Sequence, residues 1–155
     1  MYDKVRESGP TPAGIVGLLD ASPENLFAEI GFVVAFPEYQ RTHLVTNMVG
    51  LLLEFCLDLP ENGGLGLRRV QWQANAQNAA SSKVALRLGF IHEGVKRWDR
   101  VIPASEMKPN TVERLPREGD PRRADFGRHT ALLGLCWDDW EGGVRERVRE
   151  LMKPR

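Results

Sequence analysis

Residues 78–94 read NAASSKVALRLGFIHEG. Asn78 is placed to cap a helix over 79–88, because its side-chain oxygen can accept one of the unpaired backbone N–H groups of the first turn. Gly89 falls where a left-handed residue closes a helix. The run FIHEGVKRWDRVI (90–102) then reads as a long strand. Just upstream, LRRVQWQA (67–74) alternates, with Val70 and Trp72 on one side and Arg69, Gln71 and Gln73 on the other, which predicts another strand. A strand, a loop, a capped helix and a strand therefore follow one another here.

The pattern extends in both directions. GIVGLLD (14–20) and FAEIGFVVAF (27–36) are strand-length apolar runs joined by ASPENL (21–26), whose Ser, Pro and Asn mark a hairpin turn. Gly31, inside the second run, predicts a bulge or a close backbone approach. Thr42 is the expected N-cap of a helix over 43–57, and Pro60 with Gly63 and Gly64 ends it. Downstream, residues 103–127 are rich in Pro and charge and read as a long loop. HTALLGLCW (129–137) returns to strand. Residues 138–152 read as a helix with an apolar stripe at Val144, Val148 and Leu151. The expected order is β-β-α-β-α-β-loop-β-α, an alternating α/β pattern, in one domain over 14–155 behind a loose tail at 1–13.

The chain has 155 residues, enough for one full core. Lys plus Arg and Asp plus Glu each total 21, so the formal net charge is zero. That balance argues against a general binder of nucleic acid or anionic membrane, because no long-range attraction to a polyanion exists. The most apolar stretch, 44–59, is broken by Thr46, Asn47, Glu54 and Asp58, so it reads as a buried helix rather than a membrane span. No secretory signal is legible at 1–14, and Cys56 and Cys136 lie far apart with no metal-ligand spacing. These features point to a cytoplasmic protein with two reduced, buried thiols and no metal site.

Two helix starts follow strands, at 43 and at 78. Such starts present free N–H groups and the positive end of the helix dipole, which suits a phosphate. Arg41 adds a guanidinium and Thr42 a hydroxyl. From that stretch alone, a solvated loop leading into a core helix is the better reading.

The second start decides between them. Asn78-x-x-Ser81, followed by Gly89-Phe90-x-x-Glu93-Gly94 behind a strand and helix, resembles the GCN5-related N-acetyltransferase superfamily. It looks most like the branch of the ribosomal-protein N-terminal acetyltransferases, as does the closing strand that runs into Asp139 and Trp140. The resemblance implies a mixed, mostly antiparallel sheet with helices on both faces, and acetyl-CoA as acetyl donor to a primary amine. It implies that backbone N–H groups of Arg41, Thr42, His43, Leu44 and Val45 hold the pyrophosphate, and that backbone of Val33, Val34 and Ala35 pairs with pantetheine. Asn78 and Ser81 match residues facing the pantetheine and thioester. Many members carry a tyrosine at the position of Ala85; here Ser81, with Ser82 behind it, is the expected donor to the leaving thiolate, and Glu29 the candidate base. His43 and Val45 stand where the family's phosphate loop usually has small residues. The strand and helices that usually precede residue 14 in the family are not matched, which suggests a homodimer completing the sheet or acceptor site. A catalytically silent binding or oligomerisation module of the same fold is the alternative.

Overall fold

The computed structural model describes residues 2–3, 11–106 and 114–154. Five strands form one sheet: β1 (Gly14–Ser22), β2 (Phe27–Ala35), β3 (Arg69–Asn75), β4 (Ile91–Ile102) and β5 (Phe126–Cys136), in spatial order β1-β2-β3-β5-β4. All neighbours are antiparallel except β2 and β3, which run parallel. Helix α1 (Leu44–Leu57) makes the crossover between them, and α2 (Ala79–Arg87) links β3 to β4. The element order is the expected one.

The sheet is mixed and mostly antiparallel, as expected. Helices α1, α2 and the C-terminal helix α3 (Arg145–Met152) contribute to one core, where Val49, Leu53, Ala85, Leu88 and Val148 join Val70, Trp72 and Ala74 of β3. The other side chains of β3, Arg69, Gln71, Gln73 and Asn75, turn a polar row to the opposite face.

Local rules held where the local chemistry is strong. Asn78 Oδ1 accepts from Ser81 N at 3.1 Å, and Gly89 has φ +97°. Elsewhere the details moved. The helix after Thr42 begins at Leu44, and Thr42 Oγ1 accepts from Leu44 N at 3.2 Å while donating to Tyr39 O at 2.7 Å. The loose tail expected at 1–13 contains a two-stranded ribbon, Tyr2–Asp3 against Thr11–Pro12. β5 starts at Phe126, shortening the expected loop, of which residues 107–113 lie outside those described. The expected helix over 138–152 is a single turn at Trp137–Asp139, a wide π turn at Trp140–Val144, and then α3. Gly142 and Gly143 explain the break: Gly143 adopts φ 121°, which glycine reaches without a steric penalty.

The thiols differ from each other. Cys56 is buried in α1, and desolvation pushes its thiol up to about 11, so it is unreactive at neutral pH. Cys136 is only half-buried, a departure from the two buried thiols expected. No helix among the described residues is long and apolar enough to cross a membrane.

Candidate active site

The site grows from a divergence in the sheet. β2 and β3 pair over only three rungs, Phe27 with Arg69, Ala28 with Val70 and Glu29 with Gln71. Beyond Glu29 the two strands part. Val34 and Ala35 stay paired to β1 through Ile15 and Gly14, while the edge facing β3 has no partner strand among the described residues. A free strand edge presents backbone donors and acceptors to any extended ligand.

A bulge deepens the gap. Gly31 pairs with Gly17 and Val34 with Ile15, so Phe32 and Val33 together oppose Val16. The expected bulge is present, and its left-handed residue is Phe32 (φ +50°) rather than Gly31. Gly31 answers to the other expectation, close approach: a Cβ there would lie 2.4 Å from Leu19 Cδ1. An exposed phenylalanine in the left-handed region is strained, and such strain clusters at functional sites.

Two side-chain networks flank this gap, one on each face. On the helix face, Trp72 Nε1 donates to Ser81 Oγ at 2.9 Å. The indole holds the oxygen as acceptor and leaves the hydroxyl proton of Ser81 free to donate elsewhere. On the opposite face, Glu29 is only 7% exposed and lies at the last rung before the strands part. Gln71 Nε2 (3.0 Å) and Gln73 Nε2 both donate to Glu29 Oε2. Gln73 is turned that way by Lys96, whose ammonium donates to Gln73 Oε1 at 2.8 Å. Glu29 Oε1 has no protein donor among the described residues. Ala85, at the family's tyrosine position, is wholly buried in the core.

The 40–45 loop forms the third part. Arg41 takes φ +62°, and His43 then enters the right-handed helical region (φ −72°). Among the described residues the N–H groups of Arg41, Thr42 and His43 make no hydrogen bond, whereas that of Leu44 is already taken by Thr42.

Glu93, matched to the family's Glu-Gly pair, is structural. It forms a bidentate pair with Arg69, both contacts at 2.6 Å. The pair crosses over Gly134, where a Cβ would sit 2.5 Å from both partners. Hydrogen bonding from Arg69 holds the Glu93 carboxyl below the usual carboxylate range, against a smaller opposing effect of desolvation. A depressed folded value means the pair stabilises above the unfolded glutamate value of about 4.3 and loses that effect as pH falls through the lower folded value. The stability gap between wild type and Glu93→Gln is therefore expected to be constant above about pH 5 and to close below about pH 4 in urea titrations.

Sequence reading named Asn78, Ser81, Glu29 and the 40–45 loop as candidates; Glu29 stands at the last rung between β2 and β3, Ser81 bonds Trp72 of β3, and the loop follows β2. That reading missed Trp72 as the partner of Ser81 and the Gln71, Gln73 and Lys96 network around Glu29. The alternation of β3 signalled which side each residue takes, but not what it meets.

Comparison with known proteins decides the family. Residues 3–91, more than half of the chain, match the model of the acetyltransferase (GNAT) domain. The chain belongs to the GNAT acetyltransferase domain family. Solved structures agree on the fold of this GNAT domain. A GCN5-related N-acetyltransferase from Brucella melitensis superposes with a TM-score of 0.71 at 24% identity, over 95% of this chain and 54% of that one. A protein described as a probable GNAT-family acetyltransferase from Chromobacterium violaceum gives 0.61 at 28% identity, over 81% and 50%. A spermidine N-acetyltransferase chimera from Vibrio cholerae and hSSAT gives 0.61 at 13%, over 85% and 66%. The chain thus spans about half the length of the first two structures. A search of the curated proteins gave no significant match.

Proposed function

We propose that this GNAT domain transfers an acetyl group from acetyl-CoA to a primary amine. The observation that carries the reading is the gap beyond Glu29, with a free β2 edge, a hydroxyl donor on one face and a carboxylate on the other. The residues fit the donor. Its pantetheine would pair with backbone of Val33, Val34 and Ala35, and its pyrophosphate would meet the unused N–H groups of Arg41, Thr42 and His43 and the dipole of α1. When bound, acetyl-CoA supplies a thioester carbonyl.

The two faces then divide the work. Ser81, fixed by Trp72, presents its O–H to the sulfur as the C–S bond breaks, which lowers the energy of the leaving thiolate. Glu29, on the other face, accepts through Oε1 the proton that the amine sheds as the C–N bond forms. Its Oε2 is saturated by two amide donors, so the free oxygen has one orientation to offer. The unpaired bulge at Phe32 and Val33 is the source of a backbone N–H for the developing oxyanion. Asn78 holds the first turn of α2 and hence Ser81. The lack of the family's tyrosine at Ala85 supports the reading of the chain as similar to the ribosomal-protein branch, and in this reading Ser81 takes the tyrosine's part.

A panel of peptides, polyamines and small amines, assayed for thiol release from acetyl-CoA, tests this. At least one amine should accelerate release over the amine-free rate. Binding of acetyl-CoA with no acceleration by any class would favour the silent module instead.

A further inference from the structure

A cavity of about 270 Å³ opens behind the 40–45 loop. It is lined by Arg41, Thr42, His43, Thr46, Arg87 and Lys153, with Leu151 beside them. Arg87 comes from the last turn of α2, and Lys153 follows the end of α3. Three separate parts of the fold therefore bring three permanent cations to one hollow.

Their partners are few. Arg87 Nη2 donates to Thr46 Oγ1 at 2.7 Å, and among the described residues neither Arg87 nor Arg41 forms an ion pair with a carboxylate. Lys153 pairs with Glu150, and both side chains are about two-thirds exposed, so that pair is readily exchanged for a better anion. The three cations outnumber the one exposed acid beside them, so they repel one another in the free protein, and a bound anion relieves that repulsion.

We propose that Arg87 and Lys153 form a phosphomonoester subsite that binds the 3′-phosphate of the coenzyme A nucleotide. The assignment rests on the acetyl-CoA reading and deepens it. Charge separates this subsite from the diphosphate. Each internal phosphate of a diphosphate bridge carries one negative charge, which suits the backbone N–H groups of the loop. A terminal phosphomonoester carries nearly two at neutral pH and offers three acceptor oxygens, which match a guanidinium fork and an ammonium arriving from elements outside the loop. The hydrogen bond to Thr46 orients the guanidinium against the first turn of α1, beside the loop.

Calorimetric titration with coenzyme A and with 3′-dephospho-coenzyme A tests the subsite. Wild type should bind coenzyme A at least about tenfold more tightly. In Lys153→Met and in Arg87→Gln, which keeps a donor for Thr46, that ratio should fall toward one through weaker binding of coenzyme A, with dephospho-coenzyme A unchanged. Lys153 lies on the surface, so its variant tests the idea even if Arg87→Gln folds poorly. Equal affinities in wild type, or equal weakening of both ligands in the variants, would overturn the subsite alone. Absence of binding by either ligand would overturn the acetyltransferase reading together with it.

Discussion

Replacing Ser81 with alanine is expected to lower kcat by about 10²-fold or more, the range of a positioned proton donor, while acetyl-CoA affinity changes by less than about tenfold. The split follows from geometry. Ser81 sits in the first turn of α2, its backbone N–H held by Asn78 and its oxygen held by the Trp72 indole. Removing the hydroxyl takes away the donor to the thiolate and touches few of the proposed contacts to the cofactor. It also leaves the Trp72 N–H, on a residue 3% exposed, with no acceptor, a cost to stability of about 1–3 kcal/mol. Turnover must therefore be measured well below the melting temperature. Trp72→Phe is the companion variant. It keeps Ser81 but frees its hydroxyl to turn, so kcat should fall by a smaller factor. If Ser81→Ala lost affinity and kcat in equal measure, Ser81 would be a structural residue of the helix start.

Asp58→Ala is expected to be strongly destabilising, by about 3 kcal/mol, or roughly 6–12 °C in Tm. Asp58 closes α1 and is nearly buried. Its Oδ1 accepts from Trp140 Nε1 at 2.7 Å, and Trp140 is wholly buried. Arg149 and Arg145 approach the same carboxylate at 3.4 and 3.6 Å. Alanine would strand the indole N–H inside the core and separate α1 from α3. Asp58→Asn keeps an acceptor for the indole, so it should recover part of the loss. Thermal denaturation of the three proteins measures it, and equal stability of wild type and Asp58→Ala would mean that water satisfies the indole.

Which features were legible in the sequence follows from how local their causes are. The Asn78 cap and the Gly89 turn depend on residues within one helical turn, and both could be read directly. The two faces of β3 could be read from its alternation. The bulge could be placed only to within a residue, because its position is a matter of register between β1 and β2, set by the whole hairpin. The pairing of Trp72 with Ser81 joins a strand to a helix nine residues on, through a loop whose shape no local rule supplies. The meeting of Arg87 with Thr46 and Lys153 is set by the packing of α1, α2 and α3 together, and no periodicity in the chain announces it.

In the proposed complex, acetyl-CoA lies in the gap between β2 and β3 with its phosphates at the 40–45 loop. Backbone amide resonances of isotope-labelled protein, followed during titration with acetyl-CoA, test this directly. Saturable shifts concentrated at Val33, Val34 and Ala35, at Arg41, Thr42 and His43, and at Asn78 and Ser81 are the predicted result. Unmoved resonances at these positions, with or without binding elsewhere, would contradict it.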